Sequence, residues 1–259
     1  MITRAMRTGT REAVATLREV VLMPWDLAPR VPQQREPHSI VLVHGFLATA
    51  GVFRPLRARL VRELSGPSGE PVQIASFTHA PGMSVRRIAQ SLARLCERIP
   101  GKIHLVGHSL GGLVARYYVQ ELGGDGHVCQ TISLGSPFHG TTLANPFPVL
   151  VGRELRRESP TLVRLRARAA SFEHVPHLSL VGTGDMVVRP HQSAAFPLGD
   201  VVTLQGLGHN TLLYDREAQD TVIDRLRAHW YANVEETPAS RTRALVDTDE
   251  SALAIDRSA

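Results

Sequence analysis

Between residues 39 and 232, short apolar runs alternate with segments of helical periodicity, and this alternation restricts the possible folds more than any other feature. It is typical of β-α-β units in a parallel sheet. The 259 residues, 43% of them hydrophobic, suffice for one such domain. We therefore expect an α/β fold with an open, mostly parallel sheet of about six strands flanked by helices. The predicted strands are Ser39–Val43, Val72–Ser76, Ile103–Val106, Gln130–Leu134, Leu178–Val181 and Val201–Leu204, and the predicted helices lie near 52–63, 84–98, 110–122 and 214–231.

Residues 1–38 form a lead-in to this domain, which itself covers 39–232. Within the lead-in, Val14, Leu17 and Val21 recur at helical spacing, which predicts a short amphipathic helix. We expect this helix to pack on the domain. The alternative is a peripheral anchor on a lipid surface. Because charged residues interrupt the apolar run, we expect no secretory signal and a cytoplasmic location.

Composition excludes several classes of protein. No apolar run approaches the roughly 20 residues that cross a bilayer. The chain carries 29 basic and 24 acidic residues but only 5% aromatic residues, so we expect no nucleic-acid partner. Cys96 and Cys129 lack the paired spacing of a zinc site, and we expect neither metal nor cofactor. The segment 233–259 has six acidic residues and no aromatic residue, which predicts a disordered tail.

A serine lies in the turn that follows the third predicted strand. The segment Gly107–Gly111 reads Gly-His-Ser-Leu-Gly, follows an apolar run directly and opens a helical pattern. This strand–turn–helix setting is typical of a nucleophile elbow. Such a turn is so tight that side chains two positions on either side of the serine would collide, which explains both glycines. The sequence therefore predicts Ser109 as a nucleophile.

A nucleophilic serine needs a base, and the base needs an orienting carboxylate. In proteins with a serine turn of this kind, the acid and then the histidine occur later in the sequence than the serine. Asp185 and His209 each lie on a glycine-rich loop after a predicted strand, so we assign these two roles to them. Asp200 precedes the last strand and Asp215 opens the final helix, which makes both weaker candidates. Among the other histidines after the serine, none of the following ends a strand in the last loop: His174, His177, His191 and His229.

Two backbone N–H groups are expected to bind the oxyanion that such a reaction produces. One belongs to Leu110, directly after the nucleophile, and the other lies in the loop after the first strand. We select Phe46 for the second donor, with Leu47 as the alternative. His44 and His108 flank these donors, and we expect them to make structural hydrogen bonds.

Together these motifs resemble the α/β-hydrolases of the bacterial lipase and esterase type, especially the smaller, lid-poor triacylglycerol lipases. The resemblance covers about residues 39–232. It implies an α/β-hydrolase fold, a triad of Ser109, Asp185 and His209, and hydrolysis of small-molecule or lipid carboxylic esters without a cofactor. The matching segments are His44-Gly45-Phe46, Gly107–Gly112, Leu134–Thr141, Gly184-Asp185 and Gly208-His209-Asn210.

The segment 143–176 is long for a connection between strands and is interrupted by Pro146, Pro148 and Pro160, which predicts a short cap of one or two helices over the site. We expect a solvated basic face on this cap. The alternative is that its apolar residues face an acyl chain and its arginines face an anionic lipid surface. The apolar residues are Leu162, Val163, Leu165 and Ala169, and the arginines are Arg153, Arg156, Arg157, Arg164, Arg166 and Arg168.

The predicted function is that of a serine-dependent carboxylic ester hydrolase. An acyltransferase or a thioesterase would need the same triad, and the sequence does not separate these chemistries. A non-catalytic binding protein on the same fold is a third possibility, since a fold alone does not establish function. The intact triad counts against it.

Overall fold

Six parallel strands form one sheet at the centre of the fold, which confirms the architecture predicted from the sequence. The computed structural model describes residues 4–22, 24, 38–65, 72–144 and 150–232. The predicted tail, 233–259, lies outside the described residues. The strands are β1 (His38–Val43), β2 (Gln73–Phe77), β3 (Lys102–His108), β4 (Val128–Leu134), β5 (His177–Gly182) and β6 (Asp200–Leu204).

The strand order β2-β1-β3-β4-β5-β6 reverses direction once, between β1 and β3. Val43 at the end of β1 pairs with Gly107, and His108 pairs with Leu134 at the end of β4. The carboxyl ends of these three strands are therefore level. In open parallel sheets, ligands bind outside the carboxyl ends of the strands at such a reversal.

Helices cover both faces of the sheet. On one face, α3 and α4 pack on alternate residues of β1, β2 and β3 and form most of the largest core cluster. The α3 helix begins after Ser84, whose hydroxyl accepts the N–H of Arg87. The helices are α1 (Arg4–Leu22), α2 (Arg54–Leu64), α3 (Val85–Cys96), α4 (Leu110–Glu121), α5 (Leu150–Glu154), α6 (Pro160–Ala167), α7 (Thr211–Tyr214) and α8 (Arg216–Ala232).

Helix α1 lies against the loops that follow β5 and β6, but not with the face that the sequence indicated. Val14, Leu17 and Val21, the expected packing residues, are 62%, 64% and 61% exposed. The hydroxyl of Thr8, on the inward side, donates to the carbonyl of Gly206 at 3.2 Å. The expected apolar packing is wrong because the surface beneath α1 is a polar loop, and polar side chains satisfy its backbone groups.

The segment predicted as a cap contains α5 and α6. Leu162, Leu165 and Ala169 are buried in the core cluster, so they do not face a ligand. Arg164 and Arg168 both pair with Glu121 of α4, at 2.7 and 2.8 Å. These contacts tie α6 to the body of the fold. The same amphipathic pattern that suggested an acyl-facing surface serves core packing instead.

Residues 1–223 form one compact unit. A second unit covers 224–259, and its described part is the carboxyl-terminal portion of α8. In that portion Arg227 pairs with Asp224 at 3.0 Å. Among the described residues, no helix combines the length and the apolar character that spanning a bilayer requires.

Candidate active site

Ser109 occupies a strained turn between β3 and α4, with φ 53° and ψ −119°. A side chain other than glycine rarely adopts a positive φ, and such strain is typical of functional turns. A Cβ atom at residue 107 would lie 2.4 Å from the nitrogen of Gly112, and one at residue 111 would lie 2.0 Å from the carbonyl oxygen of Val43. Both positions therefore require glycine, as the sequence pattern predicted.

Asp185 and His209 meet above the carboxyl end of the sheet. Asp185 Oδ2 lies 2.8 Å from His209 Nδ1, and Asp185 Oδ1 accepts the N–H groups of Val187 and Val188, each at 2.8 Å. Both side chains are almost completely buried. A Cβ atom at Gly135, just past β4, would lie 3.2 Å from each partner of the pair. The pair therefore sits directly over the centre of the sheet.

The pKa of His209 lies above its ordinary value although burial acts to lower it. The hydrogen bond that His209 donates to Asp185, together with the negative charges of Asp185, Glu12 and Glu19, more than offsets the desolvation of the imidazolium. His108, the neighbour of Ser109, lies beside His209 with ring centroids 4.8 Å apart and the rings tilted by 47°. Its Nε2 donates to the carbonyl oxygen of His209 at 3.2 Å.

These contacts bring the His209 loop against the serine turn. The structure joins Asp185 to His209 but shows no hydrogen bond between the Ser109 hydroxyl and His209, two residues that both lie in the described part of the chain. Catalytic hydrogen bonds are often long in enzymes without substrate and shorten in the complex. The structure therefore joins two of the three predicted residues, and a bond between Ser109 and His209 stays a prediction.

The loop after β1 lies beside the serine. A Cβ atom at Gly45 would be 3.0 Å from Ser109 Cβ, so glycine allows this close approach. The next two residues, Phe46 and Leu47, are exposed, and Leu47 has a positive φ of 58°. On the other side, Leu110 opens α4, where the first N–H groups have no partner within the helix. Both predicted oxyanion donors thus belong to segments that adjoin Ser109.

His44 and His108 make structural hydrogen bonds, as expected. Nδ1 of His44 donates to the carbonyl of Gly45 at 2.8 Å, and its Nε2 accepts the N–H of His79 at 3.1 Å. Burial, together with the neighbouring His79, lowers the pKa of His44 to about 3. Burial also holds the pKa of His108 well below its ordinary value. Both imidazoles are therefore neutral at physiological pH.

One charged residue of the site was missed by the sequence analysis. Glu12 of α1 reaches the residues that follow His209 and accepts hydrogen bonds from Asn210 and Thr211. Its position, nearly two hundred residues earlier in the chain, gave no local signal of this contact. The spacing of Glu12 opposite the apolar stripe of α1 was the only available clue.

A second cluster of polar side chains lies at the opposite, amino end of the sheet. Ligand atoms of His38, His104 and Cys129 lie within 4.8 Å of one another. The two imidazoles share a 3.1 Å hydrogen bond, and the Gln130 amide donates to His104 at 3.0 Å. The positive charge of Lys102 lowers the pKa of His38, after the larger effect of burial, and would also repel a cation. We therefore interpret this cluster as a buried hydrogen-bond network.

Solved structures of lipases share this fold. Lipase B of Aspergillus fumigatus matches with a TM-score of 0.62 and 16% identity, over 77% of this chain and 56% of that chain. A monoacylglycerol lipase of Paleococcus ferrophilus matches with a TM-score of 0.58 and 18% identity, over 78% and 98% of the two chains. The mature lipase BlEst2 of Bacillus licheniformis gives 0.55 and 15%, over 77% and 94%. The chain thus spans little more than half of the fungal lipase.

A family model described as palmitoyl protein thioesterase matches residues 39–163. The matched segment includes the loop after β1 and Ser109 but ends before Asp185 and His209. With the six-stranded parallel sheet, these similarities place the chain in the α/β-hydrolase fold class of lipases and esterases. The resemblance and the fold class predicted from the motifs are both confirmed.

Proposed function

We propose that the protein is a serine hydrolase that cleaves carboxylic esters through an acyl-enzyme. Ser109 is the nucleophile, His209 the general base and Asp185 the carboxylate that orients the base. The observation that carries this proposal is the buried, 2.8 Å contact between Asp185 and His209, directly beside a strained serine turn. An ordinary structural turn needs neither the strain nor the buried pair.

The first half of the reaction forms the acyl-enzyme. Ser109 Oγ attacks the ester carbonyl carbon while Nε2 of His209 takes the hydroxyl proton. The carbonyl oxygen becomes an oxyanion, which the backbone N–H groups of Phe46 and Leu110 bind. Each such donor contributes roughly 3 kcal/mol to the stability of the transition state. Collapse of the intermediate breaks the ester bond, and the alcohol leaves with the proton that His209 returns.

The second half of the reaction releases the acid. A water molecule gives a proton to His209 Nε2 and attacks the acyl carbonyl on Ser109. The same two N–H groups bind the second oxyanion. The bond to Ser109 Oγ then breaks, and His209 returns the proton to the serine. Apart from the substrate and this water, neither half requires a group that the chain itself does not supply.

A thioester is the second candidate substrate, because the matching family model is described as a palmitoyl protein thioesterase. The triad would act in the same way, with a thiolate as the leaving group. Attack by an alcohol in place of water would make the protein an acyltransferase. A non-catalytic protein on this fold would not need an intact triad.

We also propose that α1 contacts a lipid surface. Its apolar stripe is exposed, and the exposed Leu47 and Met186 lie on loops at the same end of the sheet as Ser109. A groove of about 1120 Å³ runs between α1 and the loops after β5 and β6, lined by Leu17, Val20 and other residues. An apolar stripe flanked by arginines is typical of helices that lie on membranes. A lipid ester would then enter from the surface on which the protein rests.

The test is hydrolysis of p-nitrophenyl esters from acetyl to palmitoyl, beside an S-acyl thioester series of the same chain lengths. Wild type is compared with Ser109→Ala, and a serine-reactive phosphonate followed by peptide mass spectrometry identifies the labelled residue. We expect serine-dependent ester hydrolysis and labelling at Ser109. A higher kcat/KM on thioesters of equal length would favour the thioesterase. An unchanged rate in Ser109→Ala would refute the mechanism, and absence of labelling would favour a binding protein.

A further inference from the structure

We propose that Glu12 is a positioning residue of the active site, whose carboxylate fixes the loop that carries His209. The inference rests on the proposed function and adds a residue to it. Glu12 Oε1 accepts the N–H of Asn210 at 2.6 Å, and Oε2 accepts the N–H of Thr211 at 3.0 Å and its hydroxyl at 2.7 Å. Both carboxylate oxygens thus hold the two residues directly after His209.

Gly208, the residue before His209, leaves room for the same carboxylate. A Cβ atom at Gly208 would lie 2.2 Å from Glu12 Oε2, well inside contact distance. Only glycine at this position lets the carboxylate reach the backbone of the loop. His209 is therefore preceded by Gly208, which makes room for Glu12, and followed by Asn210 and Thr211, which donate hydrogen bonds to Glu12.

The packing of α1 indicates that holding this loop is the main task of its inward face. Besides Glu12, Thr16 accepts a hydrogen bond from the Asn210 amide at 3.0 Å, and Thr8 donates to the carbonyl of Gly206. These hydrogen bonds are directed at the loop after β6, and Ala15 of the same helix is also buried. A helix that served only to extend the core would turn its apolar stripe inward.

The charge of Glu12 suits the chemistry of the base as well as its position. After proton transfer from Ser109, His209 is an imidazolium, and carboxylates stabilise it. The ionisable groups that act on it are Asp185, Glu12 and Glu19, together with the neutral His108. Asp185 binds the ring itself, whereas Glu12 binds the backbone that carries the ring. The two acids therefore control orientation and placement separately.

The experiment measures kcat, KM and the pH dependence of kcat/KM on the best p-nitrophenyl ester. The variants are Glu12→Gln, which keeps the shape but loses the charge and one acceptor oxygen, and Glu12→Ala, which removes the clamp. Glu217→Gln serves as the matched control, because this exposed glutamate has no contact with the site. We expect kcat to fall about tenfold in Glu12→Gln and about 100-fold in Glu12→Ala, with KM nearly unchanged. The acidic limb of the pH profile should move to lower pH in both.

The outcomes separate this inference from the proposed function. If Ser109→Ala abolishes turnover while both Glu12 variants keep the wild-type kcat and pH limb, the positioning role is wrong and the triad stands. If Ser109→Ala retains activity, the triad itself fails. Circular dichroism and thermal unfolding monitor the fold. Should Glu12→Ala not fold, the pH limb of Glu12→Gln and the kcat of Thr211→Val, which removes one donor, decide the question.

Discussion

His209 Nδ1 lies 2.8 Å from Asp185 Oδ2, and the other oxygen of Asp185 is held by two backbone N–H groups. The carboxylate therefore cannot rotate away from the imidazole without losing those bonds. With the Nδ1 proton directed at Asp185, the lone pair of the neutral ring is on Nε2. One buried contact thus selects both the orientation and the tautomer that a general base requires.

Replacing the acid tests this relationship. In Asp185→Asn the amide can present an N–H to Nδ1, which favours the wrong tautomer of His209. By analogy with serine proteases, we expect kcat to fall by about 10⁴ with a smaller change in KM. Asp200→Asn is the control, since Asp200 was a competing candidate and is the first residue of β6. Steady-state kinetics on a short ester give the answer, and a comparable loss in Asp200→Asn alone would transfer the role to that residue.

The pH dependence follows from the direction of the His209 shift. A general base must be neutral, so activity rises as pH increases through the pKa of His209. Because the carboxylates around it raise that pKa above 6.5, the acidic limb of kcat/KM should reach half its maximum above pH 6.5. Initial rates between pH 5 and 9 on an ester whose own group does not titrate there would show it. A midpoint well below 6.5 would contradict the environment described for His209.

The triad residues could be predicted from sequence because each is marked locally. Ser109 lies in a glycine-bracketed turn, and Asp185 and His209 follow predicted strands on glycine-rich loops. The carboxyl ends of parallel strands meet at one edge, so residues at strand ends converge whatever their separation in the chain. The predicted strand topology was therefore enough to place these three residues at the same edge of the sheet, without information on their contacts.

Glu12 could not be predicted in this way, because helical periodicity reports that a helix has two faces but not which one is buried. The apolar stripe of α1 suggested core packing, whereas the structure turns the acidic face inward to backbone donors around Asn210. Leu162 and Leu165 show the same limit. A ligand-facing surface was the alternative interpretation of the cap segment, and in the structure these two residues fill the core against α4. In both cases the partner surface decided the outcome, and no local pattern describes that surface.

The glycine at residue 111 is predicted to be essential for folding. In Gly111→Ala the new methyl group would lie 2.0 Å from the carbonyl oxygen of Val43 and 2.7 Å from its carbon, so β1 and α4 must separate. We expect a loss of at least about 2 kcal/mol in the free energy of unfolding. Gly126→Ala is the control because nothing lies within 4 Å of its Cβ position. Urea unfolding of the two variants should differ clearly, and equal stabilities would contradict the packing of the turn.

Glu19 is predicted to destabilise the fold at neutral pH. Burial raises its pKa to about 6 from a usual 4.5, and Glu12 adds to this, while His209 acts in the opposite direction. The folded state thus favours the protonated acid, and the cost of ionisation grows as pH rises from 4.5 through 6. Glu19→Gln should gain about 2 kcal/mol at pH 8 and less than half of that at pH 5. Urea unfolding at both values, with Glu217→Gln as control, tests the sign, and a gain that is equal at both would contradict it.

The outward stripe of α1 is predicted to bind lipid. In the double variant Leu17→Ser/Val21→Ser, each change removes on the order of 1.5 kcal/mol of transfer free energy, which together corresponds to a roughly 100-fold weaker partition onto vesicles. Because these side chains are 64% and 61% exposed, hydrolysis of a soluble acetyl ester should be unchanged, whereas hydrolysis of long-chain esters in vesicles should fall.

Val61→Ser is the matched control for that variant, since Val61 is exposed on α2 and lies outside the stripe. Vesicle flotation with phosphatidylglycerol and with phosphatidylcholine separates the apolar contribution from that of the arginines: the stripe acts on both lipids, whereas the arginines act mainly on the anionic one. Equal flotation of the double variant and wild type would show that the stripe does not contact lipid. If the double variant also lost acetyl ester hydrolysis, the stripe would instead support the His209 loop. This is possible because α1 carries both the stripe and Glu12.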